Sequence, residues 1–306
     1  MIGRIARRTL GAVVTLACVY TLTFAMVIGV AGNPFQTGER NMPQEAEQAL
    51  RARYHMDDNW AYFREYLAGV VRLDFGPAFT YADWTCNQII AASLPVSATL
   101  GALAVVIAVL VGVPLGVVSA ARKKTGMDQA VSFIVLTGVC VPTFVIGAAL
   151  VTVFAVWLRW LPIGGWGTWR HLPLPALTLS LPIVAYVTRL VRAGMLDVLE
   201  SDFIRTARAK GLPPRAVIWR HAFKPAFLPV LGYLGPAAAQ AMTGSFVVEK
   251  VFGVPGLGQH FVNAALNRDP GLMMGAVLVF AALLIALNIL VDVLYAWVDP
   301  RISSSL

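Results

Sequence analysis

The sequence predicts an all-α membrane protein with six transmembrane helices and cytoplasmic N- and C-termini. Of the 306 residues, 58% are hydrophobic and 13% are charged, whereas the outside of a soluble domain must be largely polar. Apolar runs of about 20 residues recur along the chain, and a helix of that length crosses a bilayer. We place the spans at approximately residues 9–31, 95–121, 129–158, 173–191, 227–248 and 272–298.

Basic residues predict how these spans are oriented. The net charge is +8, and the Lys and Arg residues of membrane proteins concentrate in cytoplasmic loops. Dense basic clusters precede the first span, follow the second and separate the fourth from the fifth, and Arg301 follows the sixth. An even number of spans places all of these positions on the cytoplasmic side. We therefore interpret the charge as a topology signal and expect no nucleic-acid partner.

The spans divide the chain into three regions. Residues 1–31 hold a basic segment and the first span, which is longer than the apolar core of a typical signal peptide and is interpreted as retained. Residues 32–92 are predicted to form an extracytoplasmic helical loop, with short helices at 43–55 and 59–71, and residues 93–306 carry the other five spans. The second loop helix has an apolar face that either rests on the outer membrane surface or docks an external partner. This face comprises Trp60, Phe63, Leu67 and Val71.

Prolines within the predicted spans should bend them. A proline frees a backbone carbonyl and kinks a helix, and a membrane tolerates this only where neighbours satisfy the freed group. Such kinks are common in helical bundles, and they also suit a protein whose helices must rock. The prolines concerned are Pro114, Pro142, Pro182 and Pro236.

Motifs for chemistry do not occur in the sequence. There is no GxxxxGK[ST] phosphate-binding loop, no HExxH and no GxSxG, and the cysteines and histidines lack ligand or disulfide spacing. We therefore predict no catalytic, metal-binding or cofactor-binding residue in this chain. Asp292 is the clearest carboxylate within a span, and it serves either interfacial pairing or ion binding. An ion-coupled transporter usually needs more such acids, so uphill transport would draw its energy from another protein.

The cytoplasmic segment at about residues 195–226 is the most distinctive part of the sequence. It contains a short predicted helix that suits a groove on a partner protein, although plain topology would also explain its charge. Gly211 can end this helix in the left-handed conformation, and Pro213-Pro214 prevent its continuation. The predicted helix has an apolar side formed by Phe203, Ile204 and Ala207 and a basic side formed by Arg205 and Arg208.

This segment resembles the coupling loop of ABC importer membrane subunits in the peptide-importing branch. The family pattern is EAA, three residues, a glycine and a later LP. Here Arg205-Thr206-Ala207 occupies the EAA positions, Gly211 the glycine and Leu228-Pro229 the LP. The arginine in place of glutamate and the more distant LP are the two departures, and both are expected of the peptide branch. They advise against assigning a glutamate-based contact to this chain.

The resemblance extends along nearly the whole chain, to oligopeptide-type members of the peptide/nickel binding-protein-dependent permeases. It is carried by NPFQTGER, LDFGPAFTYADW and SLPVSATLGA in the first half, and by HLPLPALTLSL, GSFVVEKVFGVPGLGQHFVNAALNRDP and VDVLYAWVDPRI in the second. It implies the type I ABC importer permease fold, a multi-pass position in a bacterial inner membrane, and oligopeptide import by alternating access. Dipeptides, nickel or murein peptides remain alternative cargoes. An ion-coupled secondary transporter and a purely structural scaffold are the alternatives from other classes.

The resemblance also implies the partners. These are a second homologous permease subunit, two ATP-binding subunits that carry the ATP and Mg²⁺, and an extracytoplasmic peptide-binding protein, all around a lipid bilayer. The ATP-binding subunits would grip the coupling segment, and their closure would pull it as a lever. The implied docking residues are Asp202, Phe203, Ile204, Arg205, Thr206, Ala207, Arg208, Ala209, Lys210, Gly211 and Leu212.

Two further sets of residues are candidates for contact with the transported solute. Small polar residues in the fourth and fifth spans either line the translocation path or serve helix packing. The turn after the fifth span is either an ordinary tight connection or a loop at the outer mouth of the path. The path candidates are Thr178, Ser180, Gln240, Thr243 and Ser245, and the outer-mouth candidates are Phe252, Gly253, Pro255, Gly256 and Gly258.

Overall fold

The computed structural model describes residues 2–29, 44–53, 57–81, 84–243 and 246–298. Within these ranges the chain is helical, apart from turns and one isolated β-bridge between Pro77 and Thr85. The α-helices are α1 Ile2–Gly29, α2 Gln44–Arg53, α3 Asn59–Val71, α4 Cys86–Ala121, α5 Gly126–Cys140, α6 Thr143–Leu150, α7 Pro173–Leu199, α8 Asp202–Ala209, α9 Pro214–Ala216, α10 Phe223–Met242, α11 Phe246–Phe252, α12 Leu257–Leu266 and α13 Pro270–Val298. Val151–Trp157 and Val217–Ala222 continue α6 and α9 as π-helical turns, and Trp169–His171 is a 3₁₀ turn.

Four of the described helices are long and apolar enough to cross a membrane. They cover Arg8–Gly29, Cys86–Ala121, Trp169–Leu199 and Pro270–Val291, and the bent pair formed by α5 and α6 is a fifth candidate. Of the predicted span at 227–248, α10 covers the residues up to Met242, and α10 is not among these candidates. The all-helical membrane class is thus confirmed, while the sixth span and the cytoplasmic termini stay predictions. The side chain of Asp292 lies outside the described side chains.

A sharp break at Pro142 divides the predicted third span. The axes of Gly126–Cys140 and Thr143–Trp157 differ by 108°, so the bend predicted at Pro142 is present and is larger than an ordinary kink. Val141 has φ −82° and ψ 126°, and Pro142 has φ −57° and ψ 139°. A proline disfavours the helical conformation of the residue before it, and here the proline is itself extended, so two successive residues leave the helix.

The chain folds as two compact units, of which the first comprises Met1–Ser97 and Pro255–Ile285. Its core is rich in tyrosine: the Tyr66 hydroxyl donates to the carbonyl of Gly271 at 2.9 Å, and the Tyr20 hydroxyl donates to that of Phe63 at 2.6 Å. Helix α13 begins after Asp269, whose carboxylate accepts from the backbone N–H of Leu272 at 3.1 Å and of Thr80 at 2.8 Å. These bonds join segments of the unit that lie far apart in sequence.

Helix α3 has the predicted bounds but buries a different face. Tyr62 and Tyr66 are buried, whereas Trp60, Leu67 and Val71 are exposed. Exposure of the tryptophan-containing stripe is what contact with the membrane surface or with an external partner requires, and the choice between these two stays a prediction. Tyrosine rings bury large apolar areas when a partner binds their hydroxyl, and Gly271 supplies that partner for Tyr66.

The second unit comprises Ala98–Val254 and Ala286–Leu306, and glycines bring its helices close together. A Cβ atom added to Gly116 of α4 would lie 2.6 Å from Val191 Cβ of α7, and one added to Gly112 would lie 3.0 Å from the Val184 carbonyl oxygen. Two glycines four residues apart are a common device for close helix packing in membranes. The Thr188 hydroxyl donates to the Gly112 carbonyl at 3.1 Å and fixes the register of α4 against α7.

Candidate functional site

Helix α8 occupies the predicted coupling segment and ends as the sequence indicates. The helix covers eight residues, and Gly211 follows with φ +76°. The Gly211 N–H donates to the Arg208 carbonyl at 2.9 Å. An added Cβ at this glycine would meet nothing within 4 Å, so the left-handed conformation, rather than a lack of space, favours glycine here. The next helix starts separately at Pro214.

The predicted apolar side of α8 is divided between the interior and the surface. Ile204 and Ala207 are buried and belong to the hydrophobic core of the second unit, together with Val217 and Ala222. Phe203, by contrast, is 51% exposed. An isolated helix of this length is unstable in water. Burial of Ile204 and Ala207 in the core anchors α8 to its own chain and stabilises it. Of these three residues, Phe203 is the one that can make an apolar contact with a partner.

The exposed surface of α8 carries charge and borders a groove. Arg205 and Asp202 form an exposed ion pair at 3.1 Å. A groove of about 430 Å³ lies beside the helix and includes Arg208, Lys123 and Glu200 in its lining. The Lys123 ammonium and the Glu200 carboxylate pair at 2.9 Å, and this hydrogen bond lowers the pKa of Glu200. The remaining exposed members of the predicted docking set are Thr206, Ala209, Lys210 and Leu212.

A charged cluster near the coupling segment was not predicted from the sequence. The Arg192 guanidinium binds both carboxylate oxygens of Asp128, at 2.8 and 2.9 Å. Asp128 also accepts from the Lys124 N–H at 3.0 Å and from the Ser119 hydroxyl. We call these four residues the Asp128 cluster. It ties the end of α4, the start of α5 and the C-terminal half of α7 to one another.

The candidate path residues differ in their environments. Thr178 and Ser180 are fully buried, and their hydroxyls donate within α7 to the carbonyls of Leu174 at 2.8 Å and Leu177 at 2.9 Å. Gln240 is exposed on α10. Thr243 is half-buried, and its hydroxyl donates to the Gln240 carbonyl at 3.1 Å. Ser245 lies outside the described residues.

The candidate outer-mouth residues are mostly packed. Phe252 is buried, and its carbonyl accepts from the Gly165 N–H at 2.7 Å. Gly253 has φ +59°, which is left-handed and suits a tight turn. Gly256 and Gly258 are buried, whereas Gly253 and Pro255 are exposed. A role at the outer mouth therefore stays a prediction that rests on two exposed positions.

Comparison with known proteins relates the whole chain to one family. A family model described as binding-protein-dependent transport system inner membrane component matches residues 112–304. The chain is 48% identical over 305 residues to the oligopeptide transport system permease protein OppB of Salmonella typhimurium, covering 99% of each chain. It is 47% identical over 305 residues to OppB of Escherichia coli K12, again over 99% of each. The dipeptide transport system permease protein DppB of Bacillus subtilis is 37% identical over 289 residues, 94% of each.

A solved structure supports the fold. A chain of the MetNI methionine ABC transporter, in an inward-facing conformation, superposes with a TM-score of 0.58 over 69% of this chain and 96% of that chain, at 16% identity. The predicted type I ABC importer permease fold is thereby confirmed, as is the predicted family. The chain belongs to the inner-membrane permease components of binding-protein-dependent ABC importers.

Proposed function

We propose that this chain is the B-type permease subunit of an oligopeptide importer, moving oligopeptides from the periplasm to the cytoplasm by alternating access. The observation that carries this proposal is the full-length similarity to OppB, at 48% identity over 99% of both chains. The similarity to DppB is lower, at 37% identity. Dipeptides, nickel and murein peptides are the alternative cargoes, and the test below distinguishes dipeptides and nickel from oligopeptides.

The proposed assembly contains a second homologous permease subunit, two ATP-binding subunits with ATP and Mg²⁺, and an extracytoplasmic peptide-binding protein. The exposed surface of α8 supports docking of an ATP-binding subunit, because Phe203 offers an apolar contact beside the charged Arg205. The proposed docking set is the predicted one, residues 202–212, with Ile204 and Ala207 acting as anchors to the chain's own core.

The proposed coupling works through stiff packing. ATP-driven closure of the partner subunits would displace α8, and Ile204 lies in the same hydrophobic core as Val191 and Met195 of α7. Close-packed cores transmit displacement rather than absorbing it. The Asp128 cluster fastens α7 to α4 and α5, so these helices would move together as one lever.

The test is reconstitution of the complex in proteoliposomes with its binding protein. We expect ATP-dependent uptake of labelled oligopeptides, stimulated by the binding protein, and little uptake of dipeptides or nickel. A catalytically inactive ATP-binding partner serves as the matched control. Uptake without ATP would overturn the importer mechanism, and uptake of dipeptides or nickel in preference would overturn the oligopeptide assignment.

A further inference from the structure

Two exposed surfaces of the second unit differ in chemistry. The surface of α5 and α6 presents large apolar side chains, among them Phe133, Leu136 and Phe144. The surface of α7 and α10 presents tyrosine, arginine, glutamine, glycine and proline. Polar side chains within membrane spans face the bundle interior or a water-filled cavity rather than lipid. The first surface therefore suits lipid, and the second suits water.

The polar surface of α10 is a continuous stripe. Pro229, Tyr233, Pro236 and Gln240 follow one another at separations of four, three and four residues, which places them on one face of a helix. Tyr233 is half-buried and the other three are exposed. No large aliphatic side chain occurs in this stripe, although α10 is predicted to lie within the membrane.

Helix α7 contributes a matching stripe. Tyr186, Arg189 and Ala193 are separated by three and four residues and are exposed, and Tyr186 is 45% exposed. The span that contains α7 is the most buried of the four candidate spans, so this face is the part of α7 that its own chain leaves uncovered.

The two stripes meet at a pair of tyrosines. The rings of Tyr186 and Tyr233 stack with centroids 4.5 Å apart and an interplanar angle of 26°. Their hydroxyls and the Gln240 amide can each donate and accept hydrogen bonds. The buried hydroxyls of Thr178 and Ser180 differ, because they already donate to carbonyls of their own helix.

We propose that Tyr186, Tyr233 and Gln240 form a peptide-contact strip on the wall of the translocation path, an inference that rests on the proposed import of oligopeptides. The strip binds the peptide backbone through its hydroxyl and amide groups, and the tyrosine rings accept peptide side chains of varied shape. The backbone is common to all peptides, so recognition tolerates sequence. None of the three residues is charged, so the binding is weak, as passage requires.

The first test is cysteine accessibility in the assembled complex. Tyr186→Cys and Gln240→Cys are made in a chain in which Cys18 and Cys140 are alanine and the buried Cys86 is kept. Phe133→Cys, on the apolar surface, is the matched control, and the chain without an added cysteine gives the background. A hydrophilic maleimide is the probe, because a thiol facing lipid stays protonated and unreactive.

We expect labelling at positions 186 and 240, protection of both by saturating oligopeptide, and no labelling at position 133. Labelling that peptide does not reduce would overturn the contact with peptide. Absence of labelling at 186 and 240 would overturn the water-lined strip, and cross-linking of these cysteines to the second permease would reassign the surface as a subunit interface.

The second test separates the strip from the proposed function. Peptide uptake by the unmodified complex reports on the function, whereas labelling reports on the strip whether or not peptide is the cargo. In a complex that transports, Tyr186→Leu should raise the KM for peptide roughly three- to tenfold, the effect of losing one or two hydrogen bonds. Phe133→Leu should leave KM unchanged, and an unchanged KM for both Tyr186→Leu and Gln240→Leu would overturn the proposal.

Discussion

Asp128 pairs with a partner that lies 64 residues away in sequence, and the two groups differ in their exposure. The carboxylate side chain is 8% exposed and the guanidinium side chain 33%, so removal of the acid leaves an arginine only partly able to reach water. A charge left without its buried partner costs more than the pair contributed. The Asp128 cluster should therefore be sensitive to substitution at its centre.

Asp128→Asn is expected to lower the free energy of unfolding of the second unit by roughly 1–3 kcal/mol. The midpoint of thermal unfolding of the detergent-purified complex measures the change. Lys123→Met is the matched control, because its pair with Glu200 is exposed and such pairs contribute about 0–1 kcal/mol. Equal effects of the two substitutions would contradict a special role for the Asp128 cluster.

Gly211 gives a second prediction at the same scale. A β-branched residue is strained at φ +76°, by about 1–2 kcal/mol, and Gly211→Val should reduce both recovery of the ATP-binding subunits and peptide uptake. Gly211→Asn should preserve both, because asparagine enters the left-handed region more readily. Co-purification and uptake are measured at equal membrane levels of the chain. Normal uptake by the valine variant would remove the turn after α8 from the coupling mechanism.

Among the elements, α4 and α7 depend on glycine for their approach. In Gly116→Leu, the new Cβ would lie 2.6 Å from Val191 Cβ. Such overpacking typically costs about 1–3 kcal/mol of stability. We expect lower thermal stability and lower yield of the assembled complex. Gly126→Ala is the control, because an added Cβ there meets nothing within 4 Å. A stable Gly116→Leu complex would mean that the two helices can separate without penalty.

The break between α5 and α6 depends on Pro142. This proline favours an extended backbone at Val141 and has an extended backbone itself. Pro142→Ala removes the restriction on Val141, so the two helices should straighten toward one span. Spin labels at Ser132 and Ala148, both exposed, measure this by their separation. A straight helix would place these positions about 24 Å apart at 1.5 Å per residue, and the bent form is shorter. An unchanged distance would show that tertiary packing, not proline, sets the bend.

Local rules explain which of these features the sequence predicted. The bounds of α3 and the turn at Gly211 follow from residues close together in the chain, and both are confirmed. The buried face of α3 depends on a carbonyl 205 residues away from Tyr66, and the Asp128–Arg192 pair joins residues 64 apart. In the sequence, Arg192 is one of the basic residues between the fourth and fifth predicted spans, and this position indicates orientation but no ion pair. The path candidates were likewise predicted because they are small polar residues within spans. Whether each one is buried depends on how its helix is rotated about its own axis, which hydropathy does not determine.

At the scale of the whole molecule, the chain is a transport component whose sequence lacks a phosphate-binding loop and whose family is that of binding-protein-dependent inner-membrane components. The chain therefore supplies rigid packing between its helices and a surface along which the transported solute passes. The Asp128 cluster, the close approach of α4 to α7 and the anchors of α8 all belong to the second unit. Substitutions there should alter coupling and stability together.

The division into units has a consequence for the order of folding during synthesis. The first unit takes Met1–Ser97 and then Pro255–Ile285, so its tyrosine core cannot close until the later segment leaves the ribosome. At about 5–20 residues per second, the intervening chain takes roughly 10–30 s to make. Throughout that interval the Tyr66 hydroxyl lacks its acceptor, the Gly271 carbonyl. A nascent chain halted before Pro255 would therefore leave the core of the first unit incomplete.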